Sequence, residues 1–107
     1  MSNIIDINSK EELGEFLKNE EGLVFVDFWA PWCGPCKSLM STFEGIKGDV
    51  EGFTLAKINV DNNQELALEF GVRTVPSVFV YKNNNELFKF SGAKTKPELI
   101  EMIEKNK

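Results

Sequence analysis

Histidine is absent from the 107 residues, and cysteine occurs only twice. Tetrahedral metal sites draw on imidazoles and several thiolates, so two sulfurs alone leave the ligand set incomplete and no metal is expected. Positive charge is also short, with 12 Lys and Arg against 17 Asp and Glu and a formal net charge of −5. Nucleic acid and anionic membrane surfaces reward clustered cations, so neither is expected as a partner. No apolar run reaches the length of a membrane span, and the opening Met1-Ser2-Asn3-Ile4-Ile5-Asp6 has no basic stretch leading into a long apolar one. A cytoplasmic location is the expectation. Repeats, low-complexity tracts and linkers are missing too. With 42% hydrophobic residues, residues 1–107 suit one domain whose core needs neither a metal nor a set of staples. A monomer is expected of so small an acidic domain with no spare exposed apolar stripe.

What is present is concentrated in Trp32-Cys33-Gly34-Pro35-Cys36-Lys37, which holds both cysteines. At helical geometry, positions three apart share a face with Cβ atoms about 5–6 Å apart, near the spacing a disulfide needs. As a static staple the bridge would close a loop of a few residues and remove little unfolded-state entropy. In a reducing compartment such a pair is transient and catalytic rather than structural. A redox dithiol that opens and closes is the reading these residues favour, and it calls for no bound cofactor.

Hydrophobic periodicity places the pair. Ile4, Ile5 and Ile7 suggest a first strand, and Ser9 with Glu12 has the form of a capping box before Leu13, Phe16 and Leu17. Leu23 to Trp29 is apolar at almost every position, as a central strand covered on both faces requires. Leu39, Phe43 and Ile46 return to helical spacing, and Phe53 to Val60 predicts another strand. Asn62 with Glu65 predicts a short helix through Leu66 and Phe70, closed by Gly71. Ser77 to Tyr81 and Glu86 to Phe90 flank Lys82-Asn83-Asn84-Asn85, a hairpin turn because Asn tolerates left-handed backbone angles. Thr95 with Glu98 opens a last helix with Leu99, Met102 and Ile103 on its apolar face. The order is βαβαβαββα, an α/β chain with helices on both faces of a mixed sheet. Cys33 and Cys36 then fall at the carboxyl end of the central strand, where open α/β sheets place their chemistry.

The run from Val26 to Lys37, Val-Asp-Phe-Trp-Ala-Pro-Trp-Cys-Gly-Pro-Cys-Lys, resembles the active-site segment of the thioredoxin family. Further matches at Lys57-Ile58-Asn59-Val60-Asp61, Val72-Arg73-Thr74-Val75-Pro76-Ser77 and Gly92-Ala93 carry the resemblance across nearly the whole chain. It implies the thioredoxin fold, a mixed five-stranded central sheet flanked by four helices. The implied activity is thiol–disulfide oxidoreduction: a protein-disulfide reductase and electron carrier, re-reduced by a thioredoxin reductase and acting on disulfide-containing proteins. An oxidase or isomerase on the same fold, and a noncatalytic docking subunit, remain the alternative readings.

On this resemblance Cys33 is the nucleophile, placed where a helix N-terminus favours negative charge, and Cys36 is the resolving thiol. Gly34 and Pro35 tune the pair: Pro35 has no N–H to stabilise the thiolate, which favours a reductant, and it also suits a helix's first turn. Asp27 lies in a strand apolar on both faces, where burial raises its pKa, and the family implies that it moves a proton for the resolving cysteine. The plainer reading is an aspartate facing water at a strand end. Lys57 either pairs with Asp27 or is a solvated strand lysine. Val75-Pro76 matches a loop that holds a cis proline in this family. With Trp32, Gly34, Pro35, Gly92 and Ala93 it would form a flat apolar docking surface for an extended substrate segment, and of the two tryptophans Trp32 is expected to be the more exposed. The chain departs from the family pattern at Ser41, where many members have a helix-bending proline, and at Asn84, often Gly. Thr74 and Ser91 stand near the docking surface where smaller or more apolar residues are common, which bears on partner preference.

Overall fold

The structure, a computed structural model, describes residues 3–107. The reading of the opening residues falls partly on Met1 and Ser2, which lie outside the described residues. The elements run β1 (Asn3–Asp6), α1 (Lys10–Asn19), β2 (Leu23–Trp29), α2 (Gly34–Ile46), β3 (Phe53–Asn59), α3 (Gln64–Glu69), β4 (Ser77–Lys82), β5 (Asn85–Ser91) and α4 (Lys96–Asn106). Their order is the βαβαβαββα expected.

Strand order across the sheet is β1-β3-β2-β4-β5, so the most apolar strand, β2, is central. It pairs in parallel with β3, placing Asp27 opposite Lys57, and antiparallel with β4. Side chains alternate along a strand, and the two faces fill with different helices. Leu23 and Phe25 of β2 pack with Leu39 and Phe43 of α2 and Leu99 and Ile103 of α4. Val24, Val26 and Phe28 face the other way, against Leu13 and Leu17 of α1 and Leu66 of α3. Fully buried Phe25 meets both Phe43 and Phe53 edge-on, with ring centroids 5.2 and 6.0 Å away. By alternation, Asp27 and Trp29 follow Phe25 onto the face that α2 covers.

The ends of the elements follow local chemistry. Asn83 and Asn84 both have positive φ, 51° and 63°, and form the two-residue turn that joins β4 to β5 with the twist a hairpin needs. Thr95 and Glu98 make a reciprocal capping box at α4. At α1 the box is half made: the Ser9 hydroxyl accepts the Glu12 N–H, but the Glu12 carboxylate accepts the Asn8 N–H. The start of α3 corrects the sequence reading. Its N-cap is Asn63 rather than Asn62, and Asn63 gives no side-chain cap because its amide donates to the Asn59 carbonyl at 3.0 Å. Gly71, at φ 68°, closes α3 as expected, while its neighbour Val72 donates to the Ala67 carbonyl. With Ser41 in place of a proline, α2 runs unbroken through its 13 residues.

Candidate active site

Cys33 is the N-cap of α2, with extended backbone angles, and Cys36 sits one turn in. The first N–H groups of a helix have no intrahelical partner. Here Gly34 and Pro35 occupy the first two helical positions, Pro35 has no N–H to leave unpaired, and the Cys36 N–H donates to the Cys33 sulfur at 3.2 Å. The sulfur therefore holds the acceptor place that a Ser or Asp oxygen fills in an ordinary cap. A negative charge there gains from both the N–H and the helix dipole. The two Cα atoms are 5.3 Å apart and the sulfurs are joined in a disulfide. Both residues are buried, and their cluster with Ala30 is flanked by Trp29, Val60 and Val75.

The loop before β4 reaches the same place from the other side. The Val75 carbonyl oxygen lies 3.5 Å from the Cys33 sulfur, and the Val75-Pro76 bond is cis. The Gly92 N–H donates to the Pro76 carbonyl at 3.3 Å, so Gly92 and Ala93 are held beside that loop. Trp32 stands out at 70% exposure, whereas Trp29 is half-buried. Val75 is thus brought against the Cys33 sulfur, the buried Pro76 and Gly92 are tied to the same loop, and Trp32, Gly34 and Pro35 flank Cys33 along the chain. Sequence reasoning missed what orients Trp32: its indole N–H donates to Asp61 at 3.4 Å, and the Asp61 N–H is itself held by the Asn59 side chain at 2.9 Å. The available signal was the position of Asn59 and Asp61 at the carboxyl end of β3, next to that of β2.

Asp27 is fully buried, and neither carboxylate oxygen has a hydrogen-bond partner. Desolvation pushes its pKa up from 3.8 to about 7, against a smaller opposing pull from the Lys57 charge. The aspartate facing water is therefore overturned. The direct pairing with Lys57 is not made either: Lys57 extends to Asp6, 3.8 Å away, and lies over the Trp29 ring at 4.8 Å. The exposed Asp6 carboxylate and the indole face take the ammonium, which leaves Asp27 with only the longer-range field. Lys57 and Trp29 line a largely apolar pocket of about 250 Å³ with Cys36, Lys37, Met40 and Ser41, so the inner cysteine has an opening of its own. Among the described residues no three His, Cys, Asp or Glu are placed to hold a metal ion, and no helix is long and apolar enough to cross a membrane.

A disulfide pair capping a helix beside a cis-proline loop is the geometry of this site. The thioredoxin family model matches residues 4–105. The chain belongs to the thioredoxin family. It is 36% identical over 107 residues to a thioredoxin of Griffithsia pacifica, covering 99% of this chain and 94% of the relative. It is 38% identical over 90 residues to the thioredoxin of Bacillus subtilis, covering 83% and 86%. Among solved structures, a mutant thioredoxin from Halobacterium salinarum superposes with a TM-score of 0.86 at 30% identity, covering 97% of this chain and 90% of that one. A Nicotiana alata thioredoxin gives 0.84 at 32% identity, covering 99% and 94%. The fold is the thioredoxin fold, and the protein is a thiol–disulfide oxidoreductase that reduces disulfides by thiol–disulfide exchange.

Proposed function

We propose that Cys33 is the attacking thiolate, Cys36 the resolving thiol and Asp27 the group that moves the proton between them and solvent. The Cys33 thiolate attacks one sulfur of a substrate disulfide, forming a Cys33–substrate bond while the other substrate sulfur leaves and takes up a proton. Cys36, its proton passed toward Asp27, then attacks Cys33. The mixed disulfide breaks, a second substrate thiol departs, and two electrons have moved from the dithiol to the substrate. The observation that carries this order is the N-cap geometry, in which the Cys33 sulfur, and not that of Cys36, receives a backbone N–H at the helix end. Asp27 suits its part because it lies on the face covered by α2, with a pKa near working pH. Lys57 tunes Asp27 through space.

Trp32, Gly34, Pro35, Val75, Pro76, Gly92 and Ala93 form the docking surface, in which the Val75 backbone offers the extended contacts a peptide strand uses while the buried Pro76, its carbonyl taken by Gly92, fixes the loop. Pro35, without an N–H, withholds one stabilising donor from the thiolate, which favours reduction over oxidase or isomerase chemistry. The setting is a monomer in the cytoplasm that serves electron transport between a thioredoxin reductase and disulfide-containing proteins. Cys36→Ser should accumulate a mixed disulfide with a substrate protein, visible as an added mass that a dithiol removes, and Cys33→Ser should give no such adduct and no turnover. Trapping through position 36 in the Cys33→Ser variant would reverse the roles, and undiminished turnover without Cys33 would remove the mechanism.

A further inference from the structure

Beside the docking surface lies a groove of about 320 Å³ between the 71–77 loop and the β4–β5 edge, with Arg73, Thr74, Ser77, Phe79, Lys89 and Ser91 among its walls. Arg73 is the only arginine in a chain of net charge −5. No carboxylate lines the groove, and among the described residues neither Arg73 nor Lys89 forms an ion pair. Both cations are exposed. Lys89 extends over the Phe79 ring at 5.8 Å, which holds its ammonium above the groove. The groove shares a loop with the active site: Thr74 in its wall directly precedes Val75, whose carbonyl is 3.5 Å from the Cys33 sulfur. At about 3.3–3.6 Å per extended residue, a substrate strand that followed this loop from Cys33 past Thr74 would carry its next side chains toward these cations.

We propose that this groove recognises an acidic side chain on the substrate segment that presents its disulfide to Cys33, so that Arg73 and Lys89 set substrate preference. The inference rests on the assignment of Cys33 as the attacking sulfur. Charge complementarity selects the occupant: a carboxylate from a partner protein meets two uncommitted cations, and the acidic remainder of the molecule repels the same carboxylate elsewhere. Exposed ion pairs of this kind are each worth up to about fivefold and weaken with salt.

The test uses two cyclic peptide disulfides that differ only in Glu or Gln at positions flanking one cysteine, with a small dithiol in excess as the electron source. The Glu peptide should show a kcat/KM about three- to tenfold higher, a ratio that shrinks as ionic strength rises. The double variant Arg73→Gln with Lys89→Gln should bring the ratio to about one, while Lys18→Gln on α1 should keep it. Equal rates in the unaltered protein, or a preference that survives in the double variant, would overturn the groove as the reader and leave the Cys33 assignment standing. Failure to reduce either peptide would instead strike at Cys33 itself.

Discussion

The two ends of β2 are built to opposite standards. At the Leu23 end every side chain is apolar and paired with a neighbour, and Phe25 sits within a cluster of aromatic rings. Toward the Trp29 end the same strand buries a carboxylate with no hydrogen-bond partner and an indole N–H with none, next to a helix that begins on a sulfur. Burying polar groups unpaired costs free energy, and the catalytic end bears that cost while the other end holds the sheet together. Stability and reactivity are therefore divided along one strand, and substitutions at the two ends should move stability in opposite directions.

The largest effect should come from the well-packed end. Phe25→Ala leaves a cavity between the sheet and the helices α2 and α4 and should lower unfolding free energy by about 3–5 kcal/mol, read by urea denaturation. A loss under about 1 kcal/mol would mean the aromatic cluster is not what anchors the sheet. At the other end, Asp27→Asn should stabilise the protein by roughly 2–4 kcal/mol at pH 8. The sign follows from linkage: with a folded pKa near 7 against 3.8 unfolded, ionised Asp27 costs more in the folded state, and that cost accumulates between about pH 4 and 7 and is constant above. The stabilising effect of the variant should fade below about pH 4, and resolution of the mixed disulfide should lose the part of its rise that is centred near pH 7. Wild-type and variant unfolding curves with the same pH dependence would break the contrast between the two ends. The smallest effect concerns the rim. Asp61→Ala frees the Trp32 indole from an exposed hydrogen bond, so stability should change by under about 1 kcal/mol, while KM for a protein disulfide should rise a few fold with kcat little changed. An unchanged KM would show that Trp32 needs no such restraint.

Much of this was legible beforehand for local reasons. The continuous apolar run of β2 announced a central strand, Asn83 and Asn84 announced a turn with left-handed angles, and Thr95 with Glu98 announced a helix start, because each depends on neighbours within a few residues. The errors were also local in form. Asn62 and Asn63 are equally good capping types, and the choice fell to a contact with Asn59 that depends on where β3 ends. The same holds for Lys57, whose partner could not be read from its place in the strand. Parallel pairing of β1 with β3 brought Asp6 into register with it, and its reach to Asp6 and Trp29 follows from that sheet order.

By itself, the chain's residue order settled the element sequence, the central position of β2 and the dithiol at its carboxyl end, since periodicity and capping act over short distances. Only the tertiary structure decided what Asp27 faces, which carboxylates Lys57 and Trp32 meet, and that Arg73 and Lys89 share one groove. Those outcomes depend on strand order and burial, which bring together residues far apart in the chain, and on the removal of water that turns an ordinary carboxylate into one titrating near neutrality.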